Sequence, residues 1–387
     1  PNEEIPWYWF YYIPESARKN DLLQIVVHAY AGLLDYPFNT QQCFSYINSK
    51  SKKWADENGY ILLVPSIPQG VNEEKFGKPG YTQFETQFHP ISFETNTFYQ
   101  DTPYFYSRAD LKVNLMIQAL IDDLKLNGYR VNEKVFVDGY SSAGAFAQRY
   151  PILQSQMIQG VHAGHCTGYL VLPESIFHKF NSTYDGCKLN WPLGINDINH
   201  LSGVHLDKEI YNKIPHFVVI GSEDYGTGPD SEHFTSRFTG SQIDLLINEF
   251  NFDEGDPTLI NNQVEYINQH GGNYLFKTYP GGHVPEPWVA EKQENDAISF
   301  FKNLCLNFKD NSLIFPHIAQ DSQNKGTWDT EIAFINTGTS LIEATLYYMA
   351  SNGELVSKKT KYLGPKGRTQ INMKDVPNSH TIAYAVL

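Results

Sequence analysis

Continuous apolar runs alternate with stretches of helical periodicity as far as residue 308. Pro6–Ile13 (PWYWFYYI) reads as an aromatic strand closed by Pro14. Leu22–Val27 (LLQIVV) and Tyr60–Val64 (YILLV) are unbroken apolar runs, the pattern of strands covered on both faces. Asn58-Gly59, ahead of the second run, is a helix stop. From Asp110 to Gly128 the apolar positions Val113, Met116, Ile117, Leu120, Ile121 and Leu124 recur at helical spacing. Asp110 is placed to cap that helix and Gly128 to end it. Further strands are expected at Val135–Val137, Ile158–Val161, His216–Ile220 and Tyr274–Thr278, and an amphipathic helix over Trp288–Leu306. Such alternation predicts a mainly parallel sheet with helices on both faces.

Past Lys309 the texture changes to short alternating strands: Glu331–Ile335, Ala344–Met349, Leu355–Lys358, Thr369–Met373 and Thr381–Val386. Turn signals separate them, including Asn352-Gly353, a strong hairpin sign between two alternating runs. The expectation is therefore two domains, an α/β unit over 1–308 and a small β-sandwich over 309–387. The last strand reaches Leu387 without trailing coil, which suggests a longer natural chain.

Residues 134–150 (KVFVDGYSSAGAFAQRY) carry the most chemical information. An apolar strand meets Gly139-Tyr140-Ser141-Ser142-Ala143-Gly144 and passes into a helix-forming stretch. A serine on a sharp strand-to-helix turn is the nucleophile elbow of α/β-hydrolases. Strand and helix approach closely two residues to either side of the nucleophile, so only small side chains fit there. Gly139 and Ala143 satisfy this around Ser141, whereas registering on Ser142 would put Tyr140 in the tight position. Ala143 departs from the strict GxSxG pattern.

A serine hydroxyl needs a base held in register by an acid. In this fold both follow the elbow, acid first and histidine second. The strand HFVVI runs into Gly221-Ser222-Glu223-Asp224, and the strand YLFKT into Tyr279-Pro280-Gly281-Gly282-His283. Asp224 and His283 thus fall just past strand ends, where ligands collect in open α/β sheets. Glu223 and Asp230 are alternatives for the acid and His270 for the base. The oxyanion needs backbone donors. Ser142 supplies one, and Tyr30 in the loop His28-Ala29-Tyr30-Ala31-Gly32 is the expected second, with Ala31 the alternative.

The blocks YYIP, IVVHAYAG, WADENGYILLVPS, ALIDDLKLNGYRVNEKVFVDGYSSAGAFAQRY, VVIGSEDYGT and YPGGHVPEPW resemble secreted polyhydroxybutyrate depolymerase-like esterases, a group that includes feruloyl and acetylxylan esterases. The resemblance covers most of 5–306. It implies an α/β-hydrolase fold and an exported, cofactor-free serine esterase acting on polymeric or bulky esters. It also implies Ser141 as nucleophile, Asp224 as acid, His283 as base, and Tyr30 and Ser142 as oxyanion donors. HAYAG in place of a His-Gly opening and Ala143 in place of a glycine are departures that leave the substrate open. A peptidase or lipase on the same three residues, and a binding or adhesion protein with an inert hydrolase domain, are alternatives.

Tyr140, His165 and Trp288 are candidates for substrate contact. The aromatic insert at 70–109, from Phe76 to Tyr106, either walls the cleft or forms a satellite core. His162, His165 and Cys166 cluster in sequence, but one H-x-x-H lacks supporting ligand spacing, so no metal is expected.

Composition narrows the setting. Hydrophobic residues make up 41% and charged residues 19% of the 387, as in folded proteins. A net charge of −14 without Lys/Arg clusters excludes a non-specific nucleic-acid binder. No apolar run approaches the ~20 residues of a membrane span. Four cysteines allow two disulfides, with Cys166–Cys187 the expected pair. Few charges, many Tyr and Asn, and a start at Pro1 without methionine suit a secreted or periplasmic protein. The C-terminal domain could then bind polymer or cell surface.

Overall fold

A computed structural model describes residues 4–19, 21–29, 38–47, 50–67, 93, 95–98, 107–166, 168–225, 238–252 and 256–307. Beyond these it describes the strand residues 314–315, 331–335, 342–349, 355–363, 368–372 and 384–386. Its contacts divide the chain into two units, Pro1–Ile298 and Ser299–Leu387.

The first unit is built on strands β1 (Trp9–Tyr12), β2 (Leu22–Ala29), β3 (Tyr60–Pro65), β4 (Arg130–Val131), β5 (Val135–Tyr140), β6 (Ile158–Gly164), β7 (His216–Gly221) and β8 (Tyr274–Tyr279). Their spatial order is β1-β3-β2-β5-β6-β7-β8, with β4 beside the start of β2. All these pairings are parallel except β1 with β3. The sheet is therefore mixed and mainly parallel, in keeping with the α/β expectation. That β1 is an antiparallel edge was not legible from its aromatic run.

The helices are α1 (Phe38–Ile47), α2 (Lys50–Asn58), α3 (Ala109–Leu126), α4 (Ser142–Gln154), α5 (Ile198–Ser202), α6 (Lys208–Tyr211), α7 (Gly240–Phe250), α8 (Asp256–Gln269) and α9 (Pro287–Asn307). Strand β3 shows why its sequence is apolar throughout. Ile61 and Leu63 join the core with α3 and α4, while Leu62 and Val64 pack with Cys43 and Ala55 of α1 and α2. The six apolar positions expected to line α3 are all buried. Gly128 ends that helix at φ 82° in a Schellman turn, with Tyr129 N–H donating to Leu124 O and Gly128 N–H to Lys125 O. Asp110 does not cap it. Arg108 precedes the helix and donates Nε and Nη2 to the two carboxylate oxygens of Asp110, at 2.9 and 2.8 Å.

The cysteines are free thiols, against the expected Cys166–Cys187 pair. Cys166 is buried at the rim of the sheet, while Cys187 is part-exposed with its thiol turned to Lys188 O at 3.7 Å. Of the aromatic insert, Phe93 and Phe98 are described, and both are core. Phe93 stacks on Phe146 at 5.2 Å, and Phe98 meets Trp191 edge-on at 5.9 Å. Residues 70–92, 94 and 99–106 of the insert, Tyr99, Tyr104, Phe105 and Tyr106 among them, lie outside the described residues.

In the second unit, β11 (Ile342–Met349) pairs antiparallel with β12 (Leu355–Leu363) across the expected hairpin, with Met349 opposite Leu355. Strand β14 (Tyr384–Val386) joins β11 to β9 (Ile314–Phe315), and β10 (Glu331–Ile335) pairs with β13 (Arg368–Asn372). The division between the units falls within α9.

Candidate active site

Three strand ends bring the predicted residues together. At the end of β5, Ser141 takes φ 59° and ψ −125°, a left-handed conformation that a non-glycine residue holds only where its surroundings enforce it. Here they do. Ser141 N–H donates to Gly164 O on β6 at 2.9 Å, and Ser141 O accepts from Ala145 N–H at 3.0 Å as α4 begins. The turn lifts the hydroxyl off the strand and sets it at the N-terminal, electropositive end of α4.

Asp224 and His283 sit on two loops stitched to each other. Ser222 N–H donates to Tyr279 O at 2.7 Å, and Glu223 N–H to Gly281 O at 2.9 Å. The loops are so close that a Cβ on Gly221 would lie 2.3 Å from Gly281 O. Gly281 itself turns at φ 99°. Glycine at both positions is therefore a geometric requirement of the loop pair.

The side chains form one path. Ser141 Oγ lies 2.9 Å from His283 Nε2, and His283 Nδ1 lies 3.0 Å from Asp224 Oδ2. Asp224 is 3% exposed, whereas the His283 side chain is 42% exposed. Burial alone would favour the neutral Asp224 acid, but hydrogen bonds from His165 and His283 outweigh it and hold the carboxyl down to about 2. The hydrogen bond to Asp224 pushes His283 above the ordinary imidazole value, against the opposing effect of burial. An ionised acid next to a basic imidazole next to a hydroxyl is an arrangement that can relay a proton.

The alternatives fall elsewhere. Ser142 is the first residue of α4, Glu223 is exposed, and His270, just past α8, bonds the Tyr266 carbonyl of that helix at 2.8 Å. Asp230, and Tyr30 and Ala31 of the expected oxyanion loop, lie outside the described residues. Tyr140 donates its hydroxyl to the carbonyl of His283, and its ring lies 5.7 Å from that imidazole. Burial pushes its phenol well up. Trp288 opens α9 and is 60% exposed.

His165, expected as a substrate contact, is wholly buried: its Nδ1 lies 2.8 Å from Asp224 Oδ2 and its Nε2 3.1 Å from Gln293 Nε2. His162 does not join it. It points to Asp138 instead, with Nδ1 2.6 Å from Oδ1, while His28 bonds the other oxygen of the same carboxylate. His165, Asp224 and His283 hold nitrogen and oxygen atoms within 4.8 Å of one another, but these atoms are already engaged in the hydrogen-bond path. Sequence reasoning missed Gln293 and the link from His165 to Asp224. No local signal marks either, because the partners are 128 and 59 residues apart.

No protein-family model and no curated protein sequence matches the chain. Solved structures resemble it distantly. A poly(aspartic acid) hydrolase-1 from Sphingomonas sp. KT-1 is 12% identical with a TM-score of 0.46, over 76% of this chain and 92% of its own. A poly(3-hydroxybutyrate) depolymerase from Bordetella parapertussis is 15% identical with a TM-score of 0.43, over 77% of this chain and 85% of its own. A ferulic acid esterase is 14% identical with a TM-score of 0.40, over 76% and 91%. Likeness at this level assigns no activity, and the chemistry is read from the geometry.

Proposed function

We propose that this chain is a serine hydrolase cleaving carboxylic esters, with Ser141 as nucleophile, His283 as general base and then acid, and Asp224 as the carboxylate orienting His283. The observation that carries the reading is the unbroken path from Ser141 Oγ through His283 to Asp224, at 2.9 and 3.0 Å, starting from a serine held at φ 59°. His283 takes the hydroxyl proton as Oγ bonds the ester carbonyl carbon. Asp224 keeps the imidazole proton on Nδ1 and offsets the positive charge that forms. The N–H of Ser142, at the electropositive end of α4, and that of Tyr30 receive the developing oxyanion. The tetrahedral adduct then collapses, His283 protonates the departing alcohol, and an acyl-Ser141 remains. Water, deprotonated by His283, repeats the sequence, releasing the acid and restoring the hydroxyl. The scheme requires no cofactor and no metal ion.

The substrate class is a polymeric or bulky ester, such as a polyhydroxyalkanoate or an acylated polysaccharide, met in a secreted or periplasmic setting. The sequence resemblance supports this, as do the apolar side chains next to the reacting groups. Tyr225 follows Asp224 and is 65% exposed, Val284 follows His283 and is 85% exposed, and Trp288 is exposed near the start of α9. The C-terminal strands, read as a β-sandwich, would engage the polymer or a cell surface. Among the described residues no helix is long and apolar enough to cross a membrane.

The test is an ester panel of short aryl esters, polyhydroxybutyrate, feruloylated and acetylated polysaccharides, triglycerides and peptide amides, run on the parent and Ser141→Ala. Ester turnover lost in the variant, with fluorophosphonate labelling of Ser141 in the parent, is expected. Turnover that survives the substitution would sink the assignment, and preference for amides or triglycerides would redirect it to a peptidase or lipase.

A further inference from the structure

We propose that His165 is a positioning residue, a second imidazole that holds the Asp224 carboxylate in place from the protein interior. The inference rests on the reading above in which Asp224 serves His283. Both imidazoles direct Nδ1 at the same oxygen, Asp224 Oδ2, His165 from 2.8 Å and His283 from 3.0 Å. They differ in setting. The His165 side chain is 0% exposed while that of His283 is 42% exposed. One donor is fixed and internal, and the other belongs to the part-exposed face where a substrate must enter.

The far nitrogen is held as well. Gln293 Nε2 lies 3.1 Å from His165 Nε2. With the amide donating to Nε2, the ring proton sits on Nδ1 and is offered to Asp224. The ring is thus held at both nitrogens, one against Asp224 and one against Gln293.

The backbone also points to a built arrangement. His165 sits at φ 47°, in the left-handed region, with its N–H bonded to Val219 O at 2.7 Å. The ring of Tyr140 covers it at 4.8 Å. Among the described residues, Asp224, Tyr140 and His283, whose ring lies 5.7 Å away, are titratable groups next to His165, and Asp256 acts electrostatically on His283. Without the His165 bond, Asp224 would be held by one part-exposed donor, and its oxygen could turn from the line that keeps His283 aimed at Ser141.

The experiment uses the full chain and a short aryl ester, with thermal melting and fluorophosphonate titration to count folded, competent sites. His165→Ala should lower kcat ~10- to 100-fold, as expected of a small misplacement of a reacting group. KM should stay within about twofold, since the contact lies away from substrate. His165→Asn should recover most of the loss, because its amide can donate from near the Nδ1 position and asparagine accepts a left-handed backbone. Gln293→Ala gives a second readout that does not depend on His165→Ala folding: it removes the donor on Nε2 and should lower kcat by less than His165→Ala does, with KM unchanged. A folded His165→Ala enzyme with the parent kcat, or a His165→Asn variant that recovers none of the loss, overturns the proposal. Residual turnover in Ser141→Ala would instead remove the hydrolase reading itself, a separate and distinguishable result.

Discussion

Gly139 and Ala143 approach so closely that a Cβ on Gly139 would lie 2.0 Å from the Ala143 carbonyl oxygen. The contact is backbone to backbone, so no rotamer change relieves it. A second tight position is Gly144, where a Cβ would lie 2.4 Å from Gly164 O, while Ala143 is buried with its methyl in place. Gly139→Ala should push β5 and α4 apart, with a loss of about 1–3 kcal/mol expected of overpacking. Ser141 should be displaced with them. Ala143→Gly should cost no more than the ~1 kcal/mol of a helix glycine and retain turnover. Urea midpoints and aryl-ester rates on both variants check the pair.

Asp224→Asn keeps the shape of the site but offers His283 a neutral partner, which neither offsets the imidazolium nor selects the right tautomer. A fall in kcat of roughly 10⁴ is expected, the scale of this substitution in serine–histidine–aspartate enzymes. The variant should still fold, since His165 retains an amide acceptor. Single-turnover acylation with an aryl ester measures the step directly, and a loss below about tenfold would contradict the role assigned to Asp224.

The pH dependence has a defined sign. On the proposed mechanism His283 must be neutral to accept the Ser141 proton, and its pKa is raised chiefly by the hydrogen bond to Asp224. Activity should therefore rise with pH through a midpoint above the ~6.5 of a free imidazole. In Asp224→Asn that midpoint should move down. Stability follows a different rule. The raised His283 value stabilises the fold below the unfolded pKa and is lost as pH rises through the folded one. Asp224 has the reverse effect, stabilising above ~3.9 and losing its contribution as pH falls toward about 2. Profiles of kcat/KM against pH, with parallel melting curves, separate the two effects.

The strand positions along the chain were legible from their apolar runs, and Ser141, Asp224 and His283, which meet in space, each lie just past such a run with small residues around them. Periodicity placed α3, and Gly128 marked its end. What escaped was non-local. The antiparallel entry of β1 depends on its pairing with β3, and Asp110 was drawn from capping by Arg108, a residue whose bidentate contact no pattern announces. The Cys166–Cys187 pairing failed because sequence proximity says nothing of the burial that separates a core thiol from a part-exposed one. His165 was visible as a candidate but not its direction, because a histidine after a strand can face substrate or the fold.

Three adjacent strands also carry a polar layer that the hydrolase reading does not use. His28 on β2, Asp138 on β5 and His162 on β6 are register partners, and both imidazoles bond the Asp138 carboxylate through Nδ1. Burial opposes ionisation of Asp138, but the charge and hydrogen bonds of His28 and His162 outweigh it and hold the carboxyl well below the usual range. Preceded on their strands by Val27, Val137 and Val161, the three residues fix register, since a slip of one strand would part the carboxylate from its imidazoles. Asp138→Ala removes the shared acceptor and leaves two imidazoles facing a gap. A loss of about 3 kcal/mol is expected, the scale for breaking a buried pair from one side. Asp138→Asn retains one acceptor and should lose roughly half of that. Because the Asp138 pKa is depressed, the difference between parent and Ala variant should be fully present at neutral pH and should shrink as acid protonates the carboxylate. Urea unfolding of all three chains at neutral and acid pH measures this. An equal deficit at both pH values would mean that packing, not the ionised carboxylate, supports the three strands.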